Sequence, residues 1–266
     1  MTGARYLPVG RELTTFRAAA LSGLPILLKG PTGCGKTRLV EHMARELDRP
    51  LFTVACHEDL SAADLVGRYL LKGGETVWEE GPLSRAVRAG GICYLDEIVE
   101  ARADTIVVLH PLADHRRELH VERLGVVHRA PPEFTLVVSY NPGYQSVLKD
   151  LKESTRQRMV AIALGYPPPE LERQILIAET QIEQTLADDL VRLATAIRQL
   201  DTPGLPEVAS TRSLVSAARL ARAGLSLRDA AESAIALPLS DDAEVVRGLT
   251  AMIDAYLTPA EPRAAQ

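Results

Sequence analysis

The chain has little cysteine, no excess of basic charge and no long apolar run, and each shortage removes a class of function. Its three cysteines, Cys34, Cys56 and Cys93, are far apart and form no C-x-x-C pair. Neither a disulfide framework nor a zinc site is therefore expected, and the thiols read as small buried residues. The formal net charge of −5 argues against a non-specific nucleic-acid binder, because neutralising phosphates needs a basic surface. No segment approaches the roughly 20 apolar residues that span a bilayer. The start, Met1-Thr2-Gly3-Ala4-Arg5, lacks the apolar stretch of a signal peptide. No nucleic acid and no membrane are expected as partners, and a cytoplasmic location follows. What is present, 266 residues of which 46% are hydrophobic and 24% charged, can bury one good core and a smaller second one.

The chain is organised around Gly30-Pro31-Thr32-Gly33-Cys34-Gly35-Lys36-Thr37, a full match to the phosphate-binding pattern G-x-x-x-x-G-K-[ST]. The apolar run Pro25 to Leu28 before it reads as a buried strand, and Thr37 to Ala44 after it has helical spacing. Three glycines let backbone N–H groups curl around phosphate oxygens, and the positive end of the following helix dipole points at the same anion. The loop reads as an ATP site, with Lys36 reaching the β and γ phosphates, Thr37 holding Mg²⁺ and Arg38 following in the first turn.

Ahead of the loop, Tyr6 to Gly10 reads either as packing beside the nucleotide base or as plain packing at the sheet edge. Further strands are expected at Leu51–Cys56, Gly91–Leu95, Phe134–Ser139 and Met159–Leu164. A helix is expected from Ser61 to Leu70, running into a hairpin whose arms, Leu70 to Trp78, surround Gly73-Gly74. Trp78, the single tryptophan, either grips a partner from that hairpin or staples it to the body. The apolar strand ending in Asp96-Glu97 delivers two carboxylates to the carboxyl edge of the sheet, where ligands of open α/β sheets bind. Asp96 is placed to hold Mg²⁺ and Glu97 to orient and deprotonate the attacking water. Ala103 to Asp114 reads as helical, and Glu118–His128 as a second hairpin whose histidines belong to a solvated face rather than a metal cage. Asn141, at the next strand end, either hydrogen-bonds the water or γ phosphate or serves the Asn-Pro-Gly turn.

Arg156 and Arg158 end a polar, helix-like piece from Leu148 and abut a core strand, where they either are solvated or reach a neighbouring subunit's nucleotide. Pro167-Pro168-Pro169 is a stiff connector and marks a domain boundary. Helical periodicity follows over Glu170–Thr180, Leu186–Leu200, Thr211–Ala223, Leu227–Leu237 and Asp241–Leu257. Arg212 stands in the first turn of the third of these, capped by Ser210 or Thr211, where the helix dipole disfavours a cation. Arg212 there either meets the γ phosphate when the lid closes or is simply solvated. The expected division is a nucleotide-binding core over 1–166, a helical lid over 167–258 and a disordered tail over 259–266.

The ordered set of Gly30–Thr37, Asp96-Glu97, Asn141, Arg156/Arg158 and Arg212 resembles the AAA+ ATPases, and the two hairpins look like insertions of the MoxR branch. Gly81-Pro82-Leu83, His110-Pro111-Leu112-Ala113-Asp114-His115-Arg116-Arg117, Ser139 to Gln145 and Leu148 to Arg158 look like the CbbQ/NorQ group. The resemblance implies an α/β fold: a P-loop NTPase αβα core with a parallel five-stranded sheet and a small all-helical lid. It also implies an ATP- and Mg²⁺-dependent hydrolase acting as a homo-hexameric remodelling ring. Lys36, Glu97, Asn141 and Arg212 would work in cis, and Arg158, or else Arg156, in the neighbour's site. Gly30 to Arg38, Asp96 and Arg212 would hold the nucleotide, with Thr37 and Asp96 on the metal. A von Willebrand factor A-domain adaptor like CbbO would be the partner and Rubisco the client, with nitric-oxide reductase maturation as the alternative. Met159 departs from the group, standing where an aromatic often follows the finger arginine. A slow nucleotide-dependent switch and a phosphate-loop kinase are the competing classes.

Overall fold

The computed structural model describes residues 6–142, 153–200 and 208–257. They fall into two compact units, one made of 10–30 with 35–164, the other of the N-terminal residues to Val9, Pro31–Cys34 and Gly165 onward.

The first unit is built on five strands that are parallel throughout. Among the described residues the strands are, in chain order, β1 (Ile26–Lys29), β2 (Leu51–Ala55), β3 (Gly67–Lys72), β4 (Glu75–Glu80), β5 (Ile92–Asp96), β6 (Glu118–Val121), β7 (Val126–Arg129), β8 (Thr135–Tyr140) and β9 (Val160–Ala163). The main sheet has the order β2-β5-β8-β1-β9. Its middle strands are apolar because both faces are covered, as parallel sheets require. All six residues of β8 are buried, and Ile26, Leu27, Leu28, Ile92, Cys93, Tyr94 and Leu95 are nearly inaccessible. The helix Lys36–Glu46 turns Leu39, Val40, Met43 and Ala44 inward at helical spacing. The helix Pro82–Ala89 starts with proline at its first position, where a missing N–H costs nothing. The residue before it must be glycine, since a Cβ on Gly81 would lie 2.2 Å from the Leu65 carbonyl oxygen.

The strand expectations hold to within a residue or two, but two helices are shorter than their spacing suggests. The helix from Ala62 ends at Val66, held at its start by a Ser61/Asp64 capping box, and Gly67 to Leu70 already belong to β3. The helix expected to reach Asp114 covers only Ala103–Val107. The first hairpin pairs Tyr69 with Trp78, whose rings meet edge to face with centroids 5.1 Å apart. Trp78 also packs against the main core, which supports the stapling reading. The second hairpin pairs β6 with β7.

In the second unit, helices Pro169–Thr180, Gln184–Arg198, Thr211–Arg222 and Ala243–Leu257 enclose a separate apolar cluster that includes Leu176, Leu190, Leu193, Ile197, Leu214 and Ile253. The segment expected as one helix from Leu227 to Leu237 is an α-turn to Ala231 followed by a π-helical stretch, Glu232–Ala236. Among the described residues no helix is long and apolar enough to cross a membrane. The expected tail, 259–266, lies outside the described residues.

Candidate functional site: a phosphate loop facing two carboxylates

The parallel order decides what can meet. Strands β5, β8 and β1 are consecutive neighbours in the sheet, so their carboxyl ends lie on one edge. Asp96 and Glu97 end β5, Asn141 follows β8, and Gly30 follows β1, its N–H donating to the Tyr140 carbonyl at 3.4 Å.

The loop itself has the backbone an anion needs. Gly33 and Gly35 sit at φ 71° and 103°, conformations that side-chain-bearing residues rarely adopt. Gly35 caps the helix Lys36–Glu46 and has no side chain to engage the first-turn N–H groups, which leaves those donors for a phosphate. A Cβ on Gly33 would come within 2.7 Å of Ser210, so the cradle accepts only glycine there. Lys36 Nζ donates to the Gly30 carbonyl at 2.8 Å, which holds the ammonium back over its own loop. Pro31 and Thr32 are half-buried, Cys34 is buried, and Arg38 is exposed and pairs with Glu41 at 3.6 Å. These residues fit a nucleotide's phosphates.

Asp96 is half-buried and strongly oriented. Tyr94 Oη and Ser139 Oγ lie 2.7 and 2.5 Å from its Oδ1, and 3.1 Å from each other. Each hydroxyl has one proton, so both are aimed at the carboxylate. Thr37 neighbours the same Tyr94 phenol, whose pKa burial drives upward, keeping it a neutral donor. Ser139 Oγ also accepts from the Glu97 N–H at 3.3 Å. Tyr94 and Ser139 thus tie the helix start at Thr37 to the acid pair, a linkage that no contiguous motif reveals. The available signals are a tyrosine two residues before Asp96, hence on the same strand face, and a hydroxyl closing the apolar run before Tyr140. Thr37 and Asp96 offer two hard oxygens, a donor set suited to Mg²⁺ shared with phosphate rather than caged by protein alone. Glu97 is exposed, with its backbone in the left-handed region at φ 55°. Burial, with Asp96 and Glu97 nearby, pushes the Cys56 thiol up to about 12, and burial does the same to Cys93. All three cysteines are buried, and none is joined in a disulfide.

The arginine pair is not on this edge. Arg156 ends the short helix Glu153–Arg156, and Arg158 precedes β9, whose first residue pairs with Ile26 at the start of β1. The pair therefore lies toward the amino edge of the sheet, opposite the phosphate loop. Arg156 is half-buried, Arg158 is exposed and donates to the Ser154 carbonyl at 3.0 Å. Buried Thr155 is anchored by His110 Nε2 at 3.0 Å. Arg212 is exposed at the second position of helix Thr211–Arg222, capped by Ser210, whose hydroxyl accepts from the Ser213 N–H at 3.1 Å.

A five-stranded parallel sheet with a phosphate loop and an acid pair on its carboxyl edge defines a nucleotide-hydrolysing P-loop protein. Residues 25–159 match the AAA domain (dynein-related subfamily), and residues 172–256 match the CbbQ/NirQ/NorQ C-terminal family. Protein NorQ of Paracoccus denitrificans is 60% identical over 244 residues, covering 92% of this chain and 90% of its own length. The denitrification regulatory protein NirQ of Stutzerimonas stutzeri is 57% identical over 92% of this chain and 89% of its own, and protein CbbQ of Hydrogenophilus thermoluteolus 51% over 92% of both. Among solved structures, a mutant of RuvB from Thermotoga maritima shares the fold with a TM-score of 0.58, at 16% identity over 91% of this chain and 68% of that one. The chain belongs to the CbbQ/NirQ/NorQ family of AAA ATPases.

Proposed function

We propose that this ATPase is the motor subunit of a homo-hexameric ring that remodels a partner protein, with a core over 1–166 and a helical lid over 167–258. What carries the reading is the single sheet edge on which Lys36, Thr37, Asp96, Glu97 and Asn141 are collected. In it the backbone of Gly30–Arg38 and the Lys36 ammonium bind the phosphates, and Thr37 and Asp96 hold Mg²⁺, which neutralises charge on the transferring phosphoryl group. Asn141 positions a water and Glu97 takes its proton. Arg212 senses the nucleotide in cis. Arg158, lying away from its own subunit's phosphate loop, serves the neighbour's; Arg156 is the second choice.

For the client, the identities of 60% and 57% to NorQ and NirQ, against 51% to CbbQ, favour a denitrification role such as nitric-oxide reductase maturation over Rubisco activation. The Rubisco role would work through a von Willebrand factor A-domain adaptor like CbbO. The Rubisco reading stands as the second, supported by the CbbQ relative; stimulation of ATP turnover by one client system and not the other decides between them.

The chemistry is tested with Glu97→Gln, which keeps the side chain's shape and removes its basicity. Phosphate release should fall about 100-fold or more while nucleotide affinity stays close to the parent's. Unaltered multiple turnover would sink the motor reading and leave a nucleotide switch.

A further inference from the structure

A second polar assembly lies within the unit that contains Pro31–Cys34 and the chain from Gly165. Glu172 is fully buried in helix Pro169–Thr180. It accepts from Arg198 through both oxygens, at 2.7 and 2.8 Å, and from the Thr211 hydroxyl at 2.5 Å. Arg198 Nε donates to the Ala209 carbonyl at 2.8 Å, so the guanidinium plane is fixed on two sides. That plane lies 4.1 Å over the ring of Tyr166. The Tyr166 hydroxyl donates to the carbonyl of Thr32, in the phosphate loop, at 3.1 Å.

A buried ion pair pays a desolvation penalty that its own attraction barely offsets, so its use is sought in what it orients. Here it orients Tyr166. A trans peptide carries its C=O and its N–H on opposite sides of one plane. Holding the Thr32 carbonyl on the Tyr166 side therefore turns the Gly33 N–H to the other side. A phosphate loop must have its carbonyls drawn away from the anion and its N–H groups facing it, since a carbonyl turned inward would repel the ligand.

We propose that Tyr166 is a positioning residue for nucleotide binding. Its hydroxyl fixes the Thr32–Gly33 peptide with the N–H toward the phosphates, and the Arg198–Glu172 pair clamps its ring. The same Glu172 holds Thr211, the first residue of the helix that carries Arg212, so one buried carboxylate sets both the loop peptide and the start of that helix. The inference rests on residues 30–37 being the phosphate site.

The test uses Tyr166→Phe, which keeps the ring beneath Arg198 and deletes the hydroxyl, alongside Tyr166→Leu, which deletes both. Loss of one hydrogen bond to the loop should raise the dissociation constant for ADP about three- to tenfold in Tyr166→Phe, and more in Tyr166→Leu. The KM for ATP should rise by a similar factor, exceeding any fall in kcat. A merely structural defect would instead lower kcat through the active fraction and leave KM in place. Tyr166→Phe with the parent's ADP affinity and KM would overturn the proposal, even if Tyr166→Leu bound weakly, because the ring alone would then matter. Lys36→Ala separates the two failures: if it binds ADP as tightly as the parent, the phosphate-loop reading itself falls. If only Tyr166→Phe is parent-like, the positioning role falls alone.

Discussion

Ser139 shows how a residue with no place in a motif can hold a site together. Its hydroxyl donates to Asp96 at 2.5 Å and accepts from the Glu97 N–H at 3.3 Å, beside the Tyr94 phenol that donates to the same carboxylate oxygen. Ser139→Ala leaves the Asp96 carboxylate with one donor fewer and the Glu97 N–H without its acceptor. Stability should drop by about 1–3 kcal/mol in urea titration, and ATP turnover should fall with it. Unchanged kcat would reduce Ser139 to packing. The acids and Lys36 were legible because phosphate chemistry constrains consecutive residues: a glycine loop before a lysine, two carboxylates after an apolar strand. Tyr94 and Ser139 were not, because a hydroxyl inside an apolar run looks like core until strand register brings β5 beside β8. Tyr166 was hidden for another reason, being separated from Thr32 by more than a hundred positions.

Among the elements, the hairpin β3–β4 was visible through Gly73-Gly74, both at positive φ, as a tight turn between twisted strands demands. Its beginning was not visible. Arg68-Tyr69-Leu70 satisfies a helical continuation as well as a strand, and what decides is Gly67, at φ 143°, where a Cβ would strike the Trp78 ring at 2.5 Å. The tryptophan therefore organises the start of β3 as well as closing the hairpin onto the core. Trp78→Ala should cost about 2–3 kcal/mol, less than for a fully buried tryptophan because the side chain is half-covered. The loss should be local: amide exchange should quicken across Tyr69–Val77 while β5 and β8 stay protected. Uniform loss of protection would show that the hairpin is needed for the whole unit. The helical end of the chain was legible in its number of apolar stripes, but not in the π-helical turn at Glu232–Ala236, since periodicity cannot distinguish one extra residue in a turn.

For the whole molecule, an all-parallel sheet followed by helices could be read from the alternation of apolar runs and amphipathic segments. The strand order β2-β5-β8-β1-β9 could not, because the pattern says which segments are strands and not which are neighbours. That order determines which chain ends share an edge. A ring assembled through a repeated head-to-tail contact should elute in gel filtration with ATP at about six times the chain mass of 28.9 kDa. A species of one chain mass with full ATPase activity would refute the shared site.

Under the proposed reading, in which Arg158 serves the neighbour's site rather than the edge that carries its own Glu97, a further consequence is visible only in mixtures. A Glu97→Gln subunit still owns an intact arginine, and an Arg158→Ala subunit still owns an intact acid, so each variant lacks what the other can lend. Two preparations that are separately inactive should therefore rescue each other when co-assembled. With random mixing in equal parts, about one interface in four joins a sound acid to a sound arginine, so activity should return to about a quarter of the parent's.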